Sequence, residues 1–165
     1  MVRRAPLGRS RIRGALLALA AMLVLAACSQ ADKAPAGGRD LAVEEANREL
    51  VVDFYEKFFI DHDIASASVI ADDYTQHNPD VPDGKAPFVD YFSGFFAENP
   101  QSRGEVVRSA TDGDLVFLHV RSTNGAQDRG DAVVDIFRVQ DGKIVEHWDV
   151  IQAVPEAAAN PNTMF

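Results

Sequence analysis

Residues 132–154 read AVVDIFRVQDGKIVEHWDVIQAV, and this stretch decides the fold. Its two halves, Ala132 to Val139 and Lys143 to Val154, are rich in β-branched and aromatic residues. Between them stands Asp141-Gly142, a two-residue hairpin signal. Working backward, Leu115 to Thr123 and Val106 to Thr111 have the same character and are parted by Asp112-Gly113. Four strands in succession predict an antiparallel meander. Further upstream the period changes. Val43, Ala46, Leu50, Phe54 and Phe58 recur every three or four residues, which predicts an amphipathic helix from an Asp40 cap to near Asp61. A short second helix is expected over Ile64 to Ile70. From Lys85, the residues Phe88, Phe92 and Phe95 or Phe96 restore helical spacing until Asn99-Pro100. Asn78-Pro79 and Pro82-Asp83-Gly84 bracket a loop. Helices first and strands after, without βα alternation, predict an α+β fold. Three N-terminal helices would cover one face of a curved antiparallel sheet, leaving a cone with a pocket at its open end.

The first 40 residues have a different chemistry. Residues 1–14 are Arg-rich and acid-free, and Ala15 to Ala27 is an unbroken apolar run. Thirteen residues fall short of the roughly 20 that a spanning helix needs. A basic start, a short apolar core and small residues before a cut read as a secretory signal over residues 1–27. Leu25-Ala26-Ala27-Cys28 resembles the lipobox of bacterial lipoproteins, which implies lipidation of Cys28, the one cysteine of the chain. The expectation is an exported protein, lipid-anchored in the cell envelope, and in the outer membrane if the host has one, because Ser29 rather than Asp follows the cysteine. Residues 28–40 are rich in Ala, Gly and Pro and read as a flexible tether. The folded domain is expected over residues 41–165.

Charge removes one class of partner. The chain carries −9, and five of its sixteen Lys and Arg precede the first acid, Asp32. Without the leader, eleven bases face 25 acids, a net −14. A body this acidic has no footprint for a phosphate backbone, so no nucleic-acid partner is expected.

The candidate chemistry gathers on the last strand. His147 and Asp149 are two residues apart and share a sheet face with Val145 and Ile151; Ile144, Glu146, Trp148 and Val150 share the other. Each face mixes apolar and charged residues, so alternation leaves open which one lines a pocket. An imidazole beside a carboxylate on an apolar wall is a proton-transfer pair. Asp135 lies amid Val133, Val134, Ile136 and Phe137, and a buried carboxylate needs a partner. A plain two-residue turn would set Asp135 opposite Trp148, whereas a single bulge would bring it to the face of His147. Pairing with Arg138 or Arg121 is the structural alternative. Tyr74, His77 and Asn78 stand before a turn; Tyr74 and Asn78 can hydrogen-bond a substrate carbonyl, or the group can simply cap the Asn-Pro loop. Trp148 and His119 are further candidates for contacting a substrate. His119 lies opposite the apolar face of Val116, Leu118 and Val120, so with Leu115 and Phe117 it can equally belong to an outer or dimer surface. His62, between two aspartates, reads as a solvated cap. No HxxxH or cysteine ligand spacing, Gly-rich phosphate loop or Gly-x-Ser-x-Gly occurs. The expectation is therefore no metal and no cofactor.

The string Tyr74-Thr75-Gln76-His77-Asn78-Pro79, with Pro82-Asp83-Gly84, Val134 to Arg138, Asp141 to Val150 and the terminal NPNTMF, resembles the SnoaL-like, polyketide-cyclase-like branch of the nuclear transport factor 2-like superfamily. The resemblance spans about Leu41 to Phe165. It implies the cone-shaped fold, with the last strand lining the pocket and His77 pointing toward its mouth. It also implies cofactor-free aldol or isomerase chemistry on a small hydrophobic or carbonyl-containing molecule. Asp149 or Asp135 would be the base, His147 its partner acid, and His77 would polarise the carbonyl. The superfamily includes non-catalytic modules too, so a binding or protein-interaction domain of the envelope is the alternative. Face-to-face sheet pairing in the superfamily implies a homodimer.

Overall fold

The computed structural model describes residues 38–165; the leader, Cys28 and the tether up to residue 37 lie outside the described residues. Asp40 caps the first helix, α1 (Leu41–Phe59), its carboxylate accepting from the backbone N–H of Ala42 and Val43 at 3.1 and 3.2 Å. The buried face of α1 is Glu44, Val51, Phe54, Tyr55 and Phe58. The expected stripe therefore holds at Phe54 and Phe58 and slips at the helix start, where Val43 and Ala46 are exposed. The reason is Glu44. Arg39 Nε donates to Glu44 Oε1 at 2.7 Å, Thr111 Oγ1 donates to Oε2 at 2.9 Å, and Arg39 Nη2 donates to Thr111 O at 2.8 Å. A paired carboxylate thus turns inward where an apolar residue was expected.

This clasp makes stability depend on acid. The Arg39 guanidinium, helped by Thr111, holds the Glu44 carboxyl at about 2, against an ordinary 4.5. A lowered carboxylate contributes stability that is present above its unfolded value and lost as pH falls through its folded one. Thermal melts of wild type and Glu44→Gln should therefore differ by a constant amount above about pH 5. The gap should close toward about pH 2, and a gap independent of pH would refute this role for Glu44.

After α1 the expected second helix is a 3₁₀ helix, Ile64–Val69, capped by Asp63. It leads directly into a strand that the periodicity did not predict, β1 (Ile70–Gln76). Only Ile70 and Tyr74 of IADDYTQ are buried, so the segment lacks the apolar run that marks a strand. Next comes α2 (Lys85–Glu98), followed by β2 (Ser102–Asp112), β3 (Leu115–Asn124), β4 (Asp131–Gln140) and β5 (Lys143–Ala153). The sheet order is β1-β5-β4-β3-β2, with β1 parallel to β5 and all other neighbours antiparallel. The helices pack on one face of this curved sheet. Phenylalanines fill the layer between: the Phe58 ring lies 5.2 Å from Phe88 and 5.4 Å from Phe96, and Phe88 lies 4.8 Å from Phe92. Val116, Leu118 and Val120, all fully buried, form the sheet side of the core.

Two turns set the registers. Asp141 and Gly142 both take positive φ, 50° and 71°, as the β4–β5 hairpin requires. The β2–β3 turn is Gly113-Asp114, one residue later than expected, because Asp112 pairs with Leu115 and the positive φ falls on Gly113. Val139 pairs with Ile144, but Arg138 pairs with Glu146, so Val145 is an extra residue in β5. This bulge reverses the facing of everything beyond it. Asp135 now lies opposite Asp149, and Phe137 opposite His147.

Candidate active site

A cavity of about 410 Å³ opens between the helices and the concave sheet face. Phe59, Phe92 and Phe96 form part of its helical wall, and Tyr74, Gln76, Asn78, Asp135, His147 and Asp149 lie on the strand side. One ligand atom from each of Asp135, His147 and Asp149 falls within 4.8 Å of the other two. The β5 bulge is the cause, since it brings β4 and β5 acids to one face.

Asp135 and His147 are both buried and lock together, His147 Nε2 lying 2.9 Å from Asp135 Oδ1. The other Asp135 oxygen accepts the Tyr55 hydroxyl at 2.9 Å. Burial, reinforced by the Asp135 charge, pushes that hydroxyl well above its ordinary value, so it remains a donor. His147 Nδ1 lies 2.9 Å from Gln76 Oε1. That oxygen also accepts the Asn78 backbone N–H at 2.9 Å, which orients the amide, while Gln76 Nε2 donates to the Tyr74 hydroxyl oxygen at 3.2 Å. An amide oxygen only accepts, so His147 carries its proton on Nδ1. The Nε2–Oδ1 contact is then a hydrogen bond between imidazole and carboxyl group. The pair is a sealed unit with every polar atom engaged.

Asp149 is not sealed. Its Oδ2 accepts from Asn78 Nδ2 at 2.6 Å, while Oδ1 takes no hydrogen bond from the described residues. The Tyr74 hydroxyl accepts from Gln76, and its own proton is uncommitted among the described residues. Burial first, then Asp135 and Asp149, raise that group far above its usual range, so it too stays a donor. Beside the Asp135–His147 pair the cavity therefore offers a free carboxylate acceptor, Asp149 Oδ1, and a free hydroxyl donor, Tyr74. The spacing of the Asp135, His147 and Asp149 ligand atoms is also what a metal ion requires, but here those atoms bond one another and their neighbours.

Three expected site residues lie elsewhere. In β1 and just beyond it, residues 74, 76 and 78 line the cavity, so His77 turns to the opposite face. There its ring stacks on Trp148 at 4.8 Å and 6°, and Nε2 bonds Glu146 Oε1 at 2.9 Å. It does not point toward the cavity mouth and cannot polarise a carbonyl inside. Trp148, half-buried between His77 and the Arg138 guanidinium (5.6 Å from its ring), does not line the cavity. Strand alternation explains both. His119 also lies on the outer face, bonded to Arg108 at 3.0 Å, with the Phe165 ring 5.9 Å away. His62 is no solvated cap: its ring stacks on Phe96 at 4.1 Å, with Nε2 3.0 Å from Ser102 O. Tyr55 and Gln76 were missed. Tyr55 hides inside a core-like stretch, and the only signal for Gln76 was its odd-even spacing from Tyr74 and Asn78.

The comparisons with known proteins match this architecture. The SnoaL-like domain family model matches residues 51–147, more than half of the chain. The chain belongs to the SnoaL-like domain family. No curated protein matches it. Among solved structures, a candidate hydroxylase, AclR from Streptomyces galilaeus, is similar at 22% identity over 66% of this chain and 90% of its own, with a TM-score of 0.57. A candidate polyketide cyclase from Acidithiobacillus ferrooxidans shares 18% identity over 64% and 87%, with a TM-score of 0.57. A cystatin-fold protein from Novosphingobium aromaticivorans shares 21% over 63% and 97%, with a TM-score of 0.55. At these identities the likeness is one of fold. The matched SnoaL-like segment runs from the middle of α1 to His147 and includes Asp135, but stops two residues before Asp149.

Proposed function

We propose that this SnoaL-like domain is a cofactor-independent acid–base enzyme that moves a proton next to the carbonyl of a small molecule, in an isomerisation or aldol-type reaction. The observation that carries this reading is the free Asp149 Oδ1 beside the bonded Asp135–His147 pair and within the same lining as the Tyr74 hydroxyl. Asp149 takes a proton from the carbon beside the carbonyl. The C–H electron pair moves into the developing enolate, whose oxygen receives a hydrogen bond from Tyr74 O–H. Return of the proton to a different carbon completes an isomerisation; attack of the enolate carbon on a second carbonyl, whose oxygen then takes the proton back from Asp149, completes an aldol closure. The Asp135–His147 pair, held by Tyr55 and Gln76, positions the wall rather than meeting the substrate. A candidate polyketide cyclase of the same fold supports the choice of carbonyl chemistry. A panel of β-dicarbonyl and hydroxy-ketone compounds, assayed for binding by thermal shift and for turnover, tests the reading. Binding without turnover by wild type would favour a ligand-binding module instead.

We further infer, from the leader sequence alone, that the enzyme is held on a membrane. Acylation of Cys28 and removal of residues 1–27 are expected, and two or three acyl chains would anchor it stably. Mass spectrometry of the mature N-terminus should find a lipid-modified Cys28; an unmodified cysteine would refute the anchor. The soluble form lacking residues 1–28 is expected to dimerise through the outer sheet face, where Val134 and Val150 are 41% and 67% exposed. Light scattering should give twice the monomer mass, and a monomer at all working concentrations would refute it.

A further inference from the structure

The charges around the cavity are one-sided. Among the described residues that line it are five aspartates and a single arginine, Arg103. Asp135 is bonded to His147, and Asp80, Asp128, Asp131 and Asp149 supply the other acidic side chains of the lining. Asp128 is held ionised by the backbone N–H of Asn124 and Gly130, at 2.7 and 3.0 Å. Arg103, whose Nη1 donates to Ile60 O at 2.8 Å and Ser102 O at 3.1 Å, offsets only one of these charges, so the lining stays net negative. A cleft lined by one sign of charge and walled by apolar rings concentrates its field on whatever enters.

The charges are also placed in depth. Asp131, Val133 and Asp135 alternate on one face of β4, so Asp131 stands about 13 Å along the strand from the Asp135–Asp149 pair. The lining also includes two partly exposed aromatic rings, Tyr91 and Phe95, one turn apart on α2 and 38% and 37% accessible. Partly exposed aromatic rings and carboxylates in one lining suit a cation, which each attracts. A neutral ligand would strip water from these acids without replacing it, and an anion would be repelled.

We propose that the cavity takes a cationic carbonyl compound, its ammonium group held at the mouth by the outer carboxylates and the Tyr91 and Phe95 rings while its carbonyl reaches Asp149. This rests on the reading of the cavity as the ligand site. The test is a trio of aryl methyl ketones whose far end carries trimethylammonium, its uncharged isostere tert-butyl, or carboxylate. Binding would be measured by calorimetry at low and high salt. The ammonium compound should bind roughly tenfold more tightly than the tert-butyl compound, and the carboxylate least of all. High salt should shrink that preference, and so should Asp131→Asn and, separately, Asp80→Asn. Equal or tighter binding of the tert-butyl compound, or a preference untouched by both substitutions, overturns the charge assignment while the cavity reading stands. Failure of all three to bind overturns both together.

Discussion

Asp149→Asn should abolish most turnover while leaving the fold intact. The amide matches the carboxylate in size, and the group is only half-buried, so its melting temperature should stay close to wild type. Its free oxygen would no longer take a proton, and loss of a general base costs about 10²–10⁴ in rate. The Asn78 Nδ2 contact at 2.6 Å can persist, because the new amide still presents an oxygen. Asp135→Asn makes the informative contrast. It weakens the hydrogen bond to His147 inside a buried network, so stability should fall along with activity. If instead Asp135→Asn keeps its melting temperature and loses rate while Asp149→Asn keeps its rate, the roles assigned to the two acids are reversed. Wild-type turnover is the reference for both.

The largest stability effect should come from the aromatic layer. Phe58 is fully buried and its ring touches those of Phe54, Phe59, Phe88, Phe92 and Phe96 at centroid distances of 5.0 to 5.6 Å. Phe58→Ala removes the centre of that cluster and should destabilise by about 3–5 kcal/mol, since neighbours packed on every side collapse only partly into the void. Chemical denaturation measures it. A loss below about 1 kcal/mol would mean that the helices relax onto the sheet, and that the cluster is looser than its geometry. Trp148→Ala should cost less, because Trp148 is half-buried on the outer face between His77 and Arg138.

Much of the molecule is legible in the chain itself. The alternation of Leu115 to Thr123, the Asp141-Gly142 turn and the phenylalanine spacing of α2 are local signals, set by backbone periodicity and turn sterics. They suffice for an α+β fold with a sheet following its helices. Periodicity also states that His147 and Asp149 share a face, because strand side chains alternate whatever surrounds them. It does not state which face is inside. The tertiary structure decided that, through one bulge at Val145 that sets Asp135 beside them. A bulge is a choice between registers of similar local energy, made by the burial of β4 and β5 against the helices. The strand β1 was hidden for the same reason. Its formation rests on pairing with β5 rather than on its own composition, and that pairing sends Gln76 inward and His77 out. Burial of the Glu44 and Tyr55 polar atoms likewise depends on tertiary partners, Thr111 for Glu44 and Asp135 for Tyr55, that local periodicity does not contain.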